Sequence, residues 1–287
     1  MASYRKSHIK GKILKIKPEK PIFKKLWFWV IILIIIFVGC GLYLLFFYQG
    51  IQVKNIIISG NAKVKTQDLQ NIISEDSNTR IIDFWNVKIN SRSIFIIAKN
   101  KINSDILDRF PQIDSVKVNI ILPQTLVANI IERNSVAIYC ADSSEKNCFF
   151  IDELGVIFEE IDPTKLSSEY FIVRQVFEEL KISKGQKIID PNKINVILKI
   201  QKDLKDNFQM GIKTADVVSS TRLNIVTNEG WEIYLDLNSD YDIKPQMTKM
   251  NLLLNDMKSV GDRNKLRYID LRPKDRAIIC DNKICGG

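Results

Sequence analysis

Between Leu26 and Phe47 the chain reads LWFWVIILIIIFVGCGLYLLFF, twenty-two residues without a charge. As a helix rising about 1.5 Å per residue, this run reaches roughly 33 Å, enough to cross a bilayer core. A cleaved signal peptide has an apolar core of about 7–15 residues and an A-x-A-like cleavage site. This run is longer, and FFYQGIQVKN, which carries it outward, offers no such site. The run is also apolar all round, unlike the one-sided stripe of a surface helix. The sequence therefore predicts an uncleaved signal-anchor.

The flanks give its direction. Arg5, Lys6, Lys10, Lys12, Lys15, Lys17, Lys20, Lys24 and Lys25 precede the run against one acid, Glu19, and the first charge after it is Lys54. The positive-inside rule places residues 1–25 in the cytoplasm and residues 48–287 outside. Trp27, Trp29, Tyr43 and Tyr48 fit interfacial aromatic belts. The whole chain carries a formal charge of +9, and the tail supplies nearly all of it. The basic balance is thus an orientation signal and an anionic-lipid patch, worth about 1 kcal/mol per basic residue near the surface. It is not a nucleic-acid signature.

Cys40 lies in the span. The other four cysteines form two close pairs, Cys140/Cys148 and Cys280/Cys285, in a compartment where disulfides persist. Cys140 and Cys148 flank the polar loop ADSSEKN between strand-like segments, so a hairpin can bring them together. Neither spacing repeats the C-x₂₋₄-C pattern of a zinc site. The single histidine, His8, is in the tail, which removes His-based nucleophilic and metal chemistry from the outer part.

The outer chain opens with the strand IQVKNIIIS and a Gly60-Asn61 turn. Thr66 is the expected N-cap of a helix carrying Leu69, Ile72 and Ile73. Residues 74–97 read as irregular. A second helix is predicted from Lys99 to Phe110, ended by Pro111, with Ile102, Ile106, Leu107 and Phe110 facing inward. Strands at 116–120 and 126–131 complete a β-α-α-β-β order. Beyond them, strands are predicted at 136–139, 149–151, 156–158, 171–173, 212–218, 223–227, 231–235, 266–271 and 277–280. A helix starts at Pro191, capped by Asp190, and another spans about 243–257 with Met247, Met250, Leu253, Leu254 and Met257 at core spacing.

Four stretches resemble the FtsQ/DivIB family of bacterial cell-division proteins: Val53-x-x-Ile56-x-Ile58-x-Gly60-Asn61; Phe110-Pro111-x-Ile113-x-x-Val116-x-Val118 with Leu122-Pro123-x-Thr125-Leu126 and Glu132-Arg133; Ile151-Asp152-x-x-Gly155-Val156-Ile157-Phe158; and Tyr268-Ile269-Asp270-Leu271-Arg272. Residues 75–97 are longer than the family's usual link, and Ser135 stands where the family usually has Pro. The resemblance implies an α+β chain with one N-terminal transmembrane helix, a POTRA domain and a C-terminal mixed β-sheet domain with flanking helices. Its divisions are a basic tail 1–25, a span 26–48, a POTRA domain 49–133 and a β domain 134–287.

The same resemblance implies a bitopic, single-pass scaffold in the plasma membrane at the septum, not an enzyme. It would bind FtsB/DivIC-like and FtsL-like single-span proteins and help control septal peptidoglycan synthesis. A partner strand would add to the edge running through Arg276, Ala277, Ile278, Ile279 and Cys280, beside Arg272. Without the resemblance, that segment reads as an ordinary terminal strand guarded by Lys274 and Arg276. A POTRA-type adaptor for secretion or envelope assembly is the alternative. No cofactor, metal, nucleic acid or small-molecule substrate is expected. Ser7–Lys10 and Ser143–Lys146 match S-x-x-K, but no S-D-N follows. The acidic run 236–242 has Tyr241 where a calcium loop needs Gly.

Overall fold

The computed structural model describes residues 23, 25–84, 87–141, 147–162, 170–176, 182–237, 242–257 and 263–281. Most of the basic tail, the Ser143–Lys146 motif, most of the acidic run and Cys285 lie outside these residues. The chain packs as two compact units.

The smaller unit holds helix α1 (Leu26–Phe47), the residues up to 54, residues 78–97 and residues 122–124. None of the α1 side chains is buried. Residues 74–97 are more regular than their composition predicts. The first of them continue helix α2 (Thr66–Asp76), and β2 (Thr79–Phe84) and β3 (Val87–Ser91) then pair as an antiparallel ribbon. Two serines past the ribbon turn reach the end of α1. Ser91 Oγ donates to the Phe46 carbonyl (2.5 Å) and Ser93 Oγ to that of Leu45 (2.7 Å). These are among the carbonyls that a helix C-terminus leaves without an internal partner.

The larger unit contains two sheets. In the first, β1 (Asn55–Ser59) runs parallel to β5 (Thr125–Glu132), which pairs antiparallel with β4 (Ile113–Ile121). Against them lie α2, burying Leu69, Ile72 and Ile73, and α3 (Lys99–Arg109), burying Ile102 and Ile106. Two details depart from expectation. Lys65, not Thr66, holds the N-cap position, and the Thr66 hydroxyl accepts instead from Asn61 Nδ2. Leu107 is exposed, because α3 stops at Arg109 and only a narrow stripe meets the sheet.

The second sheet has nine strands in the order β14-β13-β12-β11-β10-β9-β6-β7-β8. They are β6 (Ala137–Cys140), β7 (Cys148–Ile151), β8 (Ile157–Ile161), β9 (Ile172–Gln175), β10 (Ile212–Val217), β11 (Arg222–Thr227), β12 (Glu232–Asp236), β13 (Leu266–Asp270) and β14 (Ile278–Asp281). Helices α4 (Pro191–Phe208) and α5 (Lys244–Asp256) contribute to one apolar core with it, through Ile197, Ile200 and Leu204, and Met247, Met250 and Leu254. The Asp190 carboxylate caps α4 by accepting from Asn192 N (2.8 Å), with Pro191 at the first turn.

Cys140 and Cys148 sit opposite each other in the β6–β7 register, Cα atoms 4.2 Å apart, and are disulfide-bonded. Cys280 is also disulfide-bonded.

Glu132 and Arg133, at the end of β5, reach in two directions. The Glu132 carboxylate accepts from the backbone N–H groups of Ala62, Lys63 and Val64 at 2.9–3.0 Å. Arg133 donates to the Pro111 carbonyl (3.1 Å), to Asp114 (3.0 Å) and to Asp152 (2.5 Å). Asp152 also accepts from Leu154 N and Val156 N. Gly155 between them has φ +77°, and a Cβ there would meet the Ile189 carbonyl oxygen at 1.9 Å, so no side chain fits.

Candidate functional site

Strand β14 ends the nine-stranded sheet: it pairs antiparallel with β13, and none of the described strands lies on its other side. An edge of this kind leaves backbone N–H and C=O groups open to a further strand. Its side chains alternate. Ile279, like Ala277 just before the strand, packs against the core that α4 and α5 share. Ile278 lies on the opposite face and is 45% exposed, whereas Cys280 is buried. The residues expected to meet a partner are thus close in space but not equally accessible.

The face bearing Ile278 is chemically organised. Register places Arg174, Asp216, Asn224, Tyr234, Asp270 and Ile278 opposite one another across six strands. Arg174 forms a two-pronged bond to Asp216 at 2.7 and 3.0 Å. Tyr234 lies between two guanidinium groups, Arg222 at 5.6 Å and Arg272 at 5.5 Å from its ring centre, and against Tyr268 at 5.2 Å. Arg272 grips Asp270 through Nε (2.8 Å) and Nη2 (2.6 Å), and its backbone N–H donates to the same carboxylate. Those side-chain bonds hold the Asp270 carboxyl below the usual range against the upward push of burial. Burial, helped by the neighbouring Glu232, pushes the Tyr234 phenol up to about 12. The result is a neutral aromatic ring beside a fixed, partly exposed arginine, suited to meeting an acidic or aromatic side chain.

A further residue supports this edge from beneath. Lys249 of α5 donates to the carbonyls of Leu271 (2.9 Å), Pro273 (2.5 Å) and Arg276 (3.2 Å). Its three N–H donors match three acceptors in the turn between β13 and β14. Of Arg276, then, the backbone carbonyl is engaged in holding the turn. Sequence reading passes over Lys249, because a lysine on an amphipathic helix is ordinarily solvated. Arg222 and Tyr234 were equally hidden, since their pairing with Arg272 depends on strand order.

Among the described residues, no group of three or more His, Cys, Asp or Glu side chains is arranged to hold a metal ion. What the fold defines is a mixed α+β protein with one N-terminal apolar helix and a large C-terminal β-sheet. Residues 142–272 match the family model "Cell division protein FtsQ/DivIB, C-terminal", a match that supports the FtsQ/DivIB family. A search of curated proteins finds no match. FtsQ/DivIB is a family of non-enzymatic division scaffolds, and the match points to a role in cell division with division-protein partners. The apolar helix α1 fits a single-pass membrane protein.

Proposed function

We propose that this chain is a bitopic scaffold of the division septum, with residues 1–25 cytoplasmic, 26–48 spanning the plasma membrane, and a POTRA domain (49–133) and β domain (134–287) outside. It binds FtsB/DivIC-like and FtsL-like single-span proteins and helps control septal peptidoglycan synthesis. The observation that carries the binding mode is the place of β14 at the end of the nine-stranded sheet, with none of the described strands on its outer side. A partner strand adds there by backbone hydrogen bonds. Arg272 and the exposed Ile278 supply side-chain contacts on one face, where Cys280 is buried, and Ala277 and Ile279 pack the edge on the core. Arg276 flanks the incoming strand.

The test is capture of the partner's extracytoplasmic segment by the full chain and by its Ile278→Glu variant. A charge on the exposed face of β14 is expected to weaken capture by at least tenfold, about 1.4 kcal/mol. Equal capture by both chains would sink the C-terminal site. The β1-β5-β4 sheet with α2 and α3 keeps a second reading in view, a POTRA-type adaptor for secretion or envelope assembly. Depletion separates the two: filamentous cells indicate division, and an export defect in cells of normal length indicates the adaptor.

A further inference from the structure

The two sheets of the larger unit meet at a narrow joint. β1 ends at Ser59 and β5 at Glu132, and β4 begins at Ile113. Because β1 runs parallel to β5 and β4 antiparallel to it, the 60–64 turn, the 110–112 turn and the exit of β5 share one end of the three-stranded sheet. From that end residues 133–136 lead directly into β6 of the nine-stranded sheet. A four-residue connection with no helix or strand of its own fixes no angle. Modules joined through small polar interfaces move against each other by default.

The contacts at this joint are few, and charge dominates them. On one flank Lys63 reaches over Phe150 of β7 and Phe158 of β8, its Nζ 5.7 and 6.0 Å from the ring centres, and to Glu159 at 3.5 Å. On the other flank Arg133 ties Asp114 of β4 to Asp152 in the turn after β7. Beside it the Gly185 turn lies against Pro111, close enough that a Cβ at 185 would stand 3.7 Å from Pro111 Cβ. Apolar packing does not close this flank. A cavity of about 220 Å³ remains there, and two of its lining residues, Ile131 and Leu154, are exposed. The Arg133 and Asp152 side chains are only 14% and 6% exposed, so water and salt screen their bond little. The Lys63 side chain is 54% exposed and grips more weakly.

We infer that the joint is a charge-set clamp. Arg133, assisted by Lys63, holds the three-stranded sheet at one angle to the nine-stranded sheet, and loss of these charges frees residues 133–136 to swing. A partner seated on either sheet of the clamped unit therefore orients the other, whatever that partner is.

The test uses the full chain in lipid nanodiscs, with Cys40→Ser and the native disulfides kept oxidised. Nitroxide labels at Asp108→Cys on α3 and Lys199→Cys on α4, both exposed positions, report the distance across the joint by pulsed electron resonance. A second pair, Lys199→Cys with Leu252→Cys on α5, reports on the nine-stranded body alone. With the clamp intact both pairs should give one narrow distribution. Arg133→Gln should at least double the width for the 108–199 pair and leave the 199–252 pair unchanged. A broad 108–199 distribution in the clamped chain overturns the proposal, and so does a narrow one that survives Arg133→Gln combined with Lys63→Gln. Where Arg133→Gln disturbs the 199–252 pair as well, Lys63→Gln alone decides: widening confined to the 108–199 pair supports the clamp, and no change overturns it.

Discussion

Glu132 is a carboxylate held by the backbone N–H groups of a distant turn. Burial pushes its pKa up, but the N–H groups of Val64, Lys63 and Ala62, with the Lys63 charge, hold it below the usual carboxylate range. A depressed folded-state pKa stabilises the fold above the unfolded value, near pH 4, and that stability is lost as pH falls through the folded pKa. Glu132→Gln is expected to cost about 1–3 kcal/mol at neutral pH, the range for breaking a charge-assisted bond in a partly buried site. Its melting temperature should also fall less steeply below pH 4 than that of the unsubstituted chain. Parallel acid limbs in the two melting curves would show that the charge contributes nothing. That Glu132-Arg133 is a structural pair, joining β5 to the 62–64 turn, the 111–114 turn and Asp152, could be read from the sequence only as ion pairs or caps. The identity of the acceptors depends on turns far apart in the chain.

The β13–β14 hairpin depends on an element to which it is not adjacent in sequence. Lys249 spans from α5 to three carbonyls of the turn, so the geometry of the edge is set by the helix beneath it. Lys249→Met leaves those carbonyls to water or to no partner. The expected result is a loss of about 1 kcal/mol in stability and faster amide exchange concentrated in 271–281; exchange that rises uniformly over the whole sheet would contradict the assignment. Elements marked by strong local chemistry were legible in advance: α4 from Asp190-Pro191, the β10–β12 meander from its alternation, the β13–β14 hairpin from its turn residues. The β2–β3 ribbon was not. Its turn is not the Asn-Gly or Asp-Gly type that announces a tight hairpin, and its register shift between Arg80 and Ile82 breaks the alternation that would have revealed it. At the candidate site the edge strand and Arg272 could be found along the chain. Arg222, Tyr234 and Lys249 come together only once β12 lies between β11 and β13 and α5 packs below.

Across the whole molecule, one apolar helix near the N-terminus is joined to a sheet whose two outer strands differ in kind. At one end β8 follows the Cys140–Cys148 hairpin, and at the other none of the described strands lies beyond β14. The covalent clip in that hairpin also makes the molecule its own compass. A bond between Cys140 and Cys148 persists in an oxidising space and is kept open in a reducing one. Blocking thiols in intact cells, then reducing and weighing residues 137–151, therefore reports on which side of the membrane the sheet resides, with no tag or fusion. A bonded pair is the outcome expected if the sheet lies outside, and free thiols at both positions would place it in the cytoplasm. Two sulfur atoms that fasten a loop would thus report the side of the membrane on which the sheet lies.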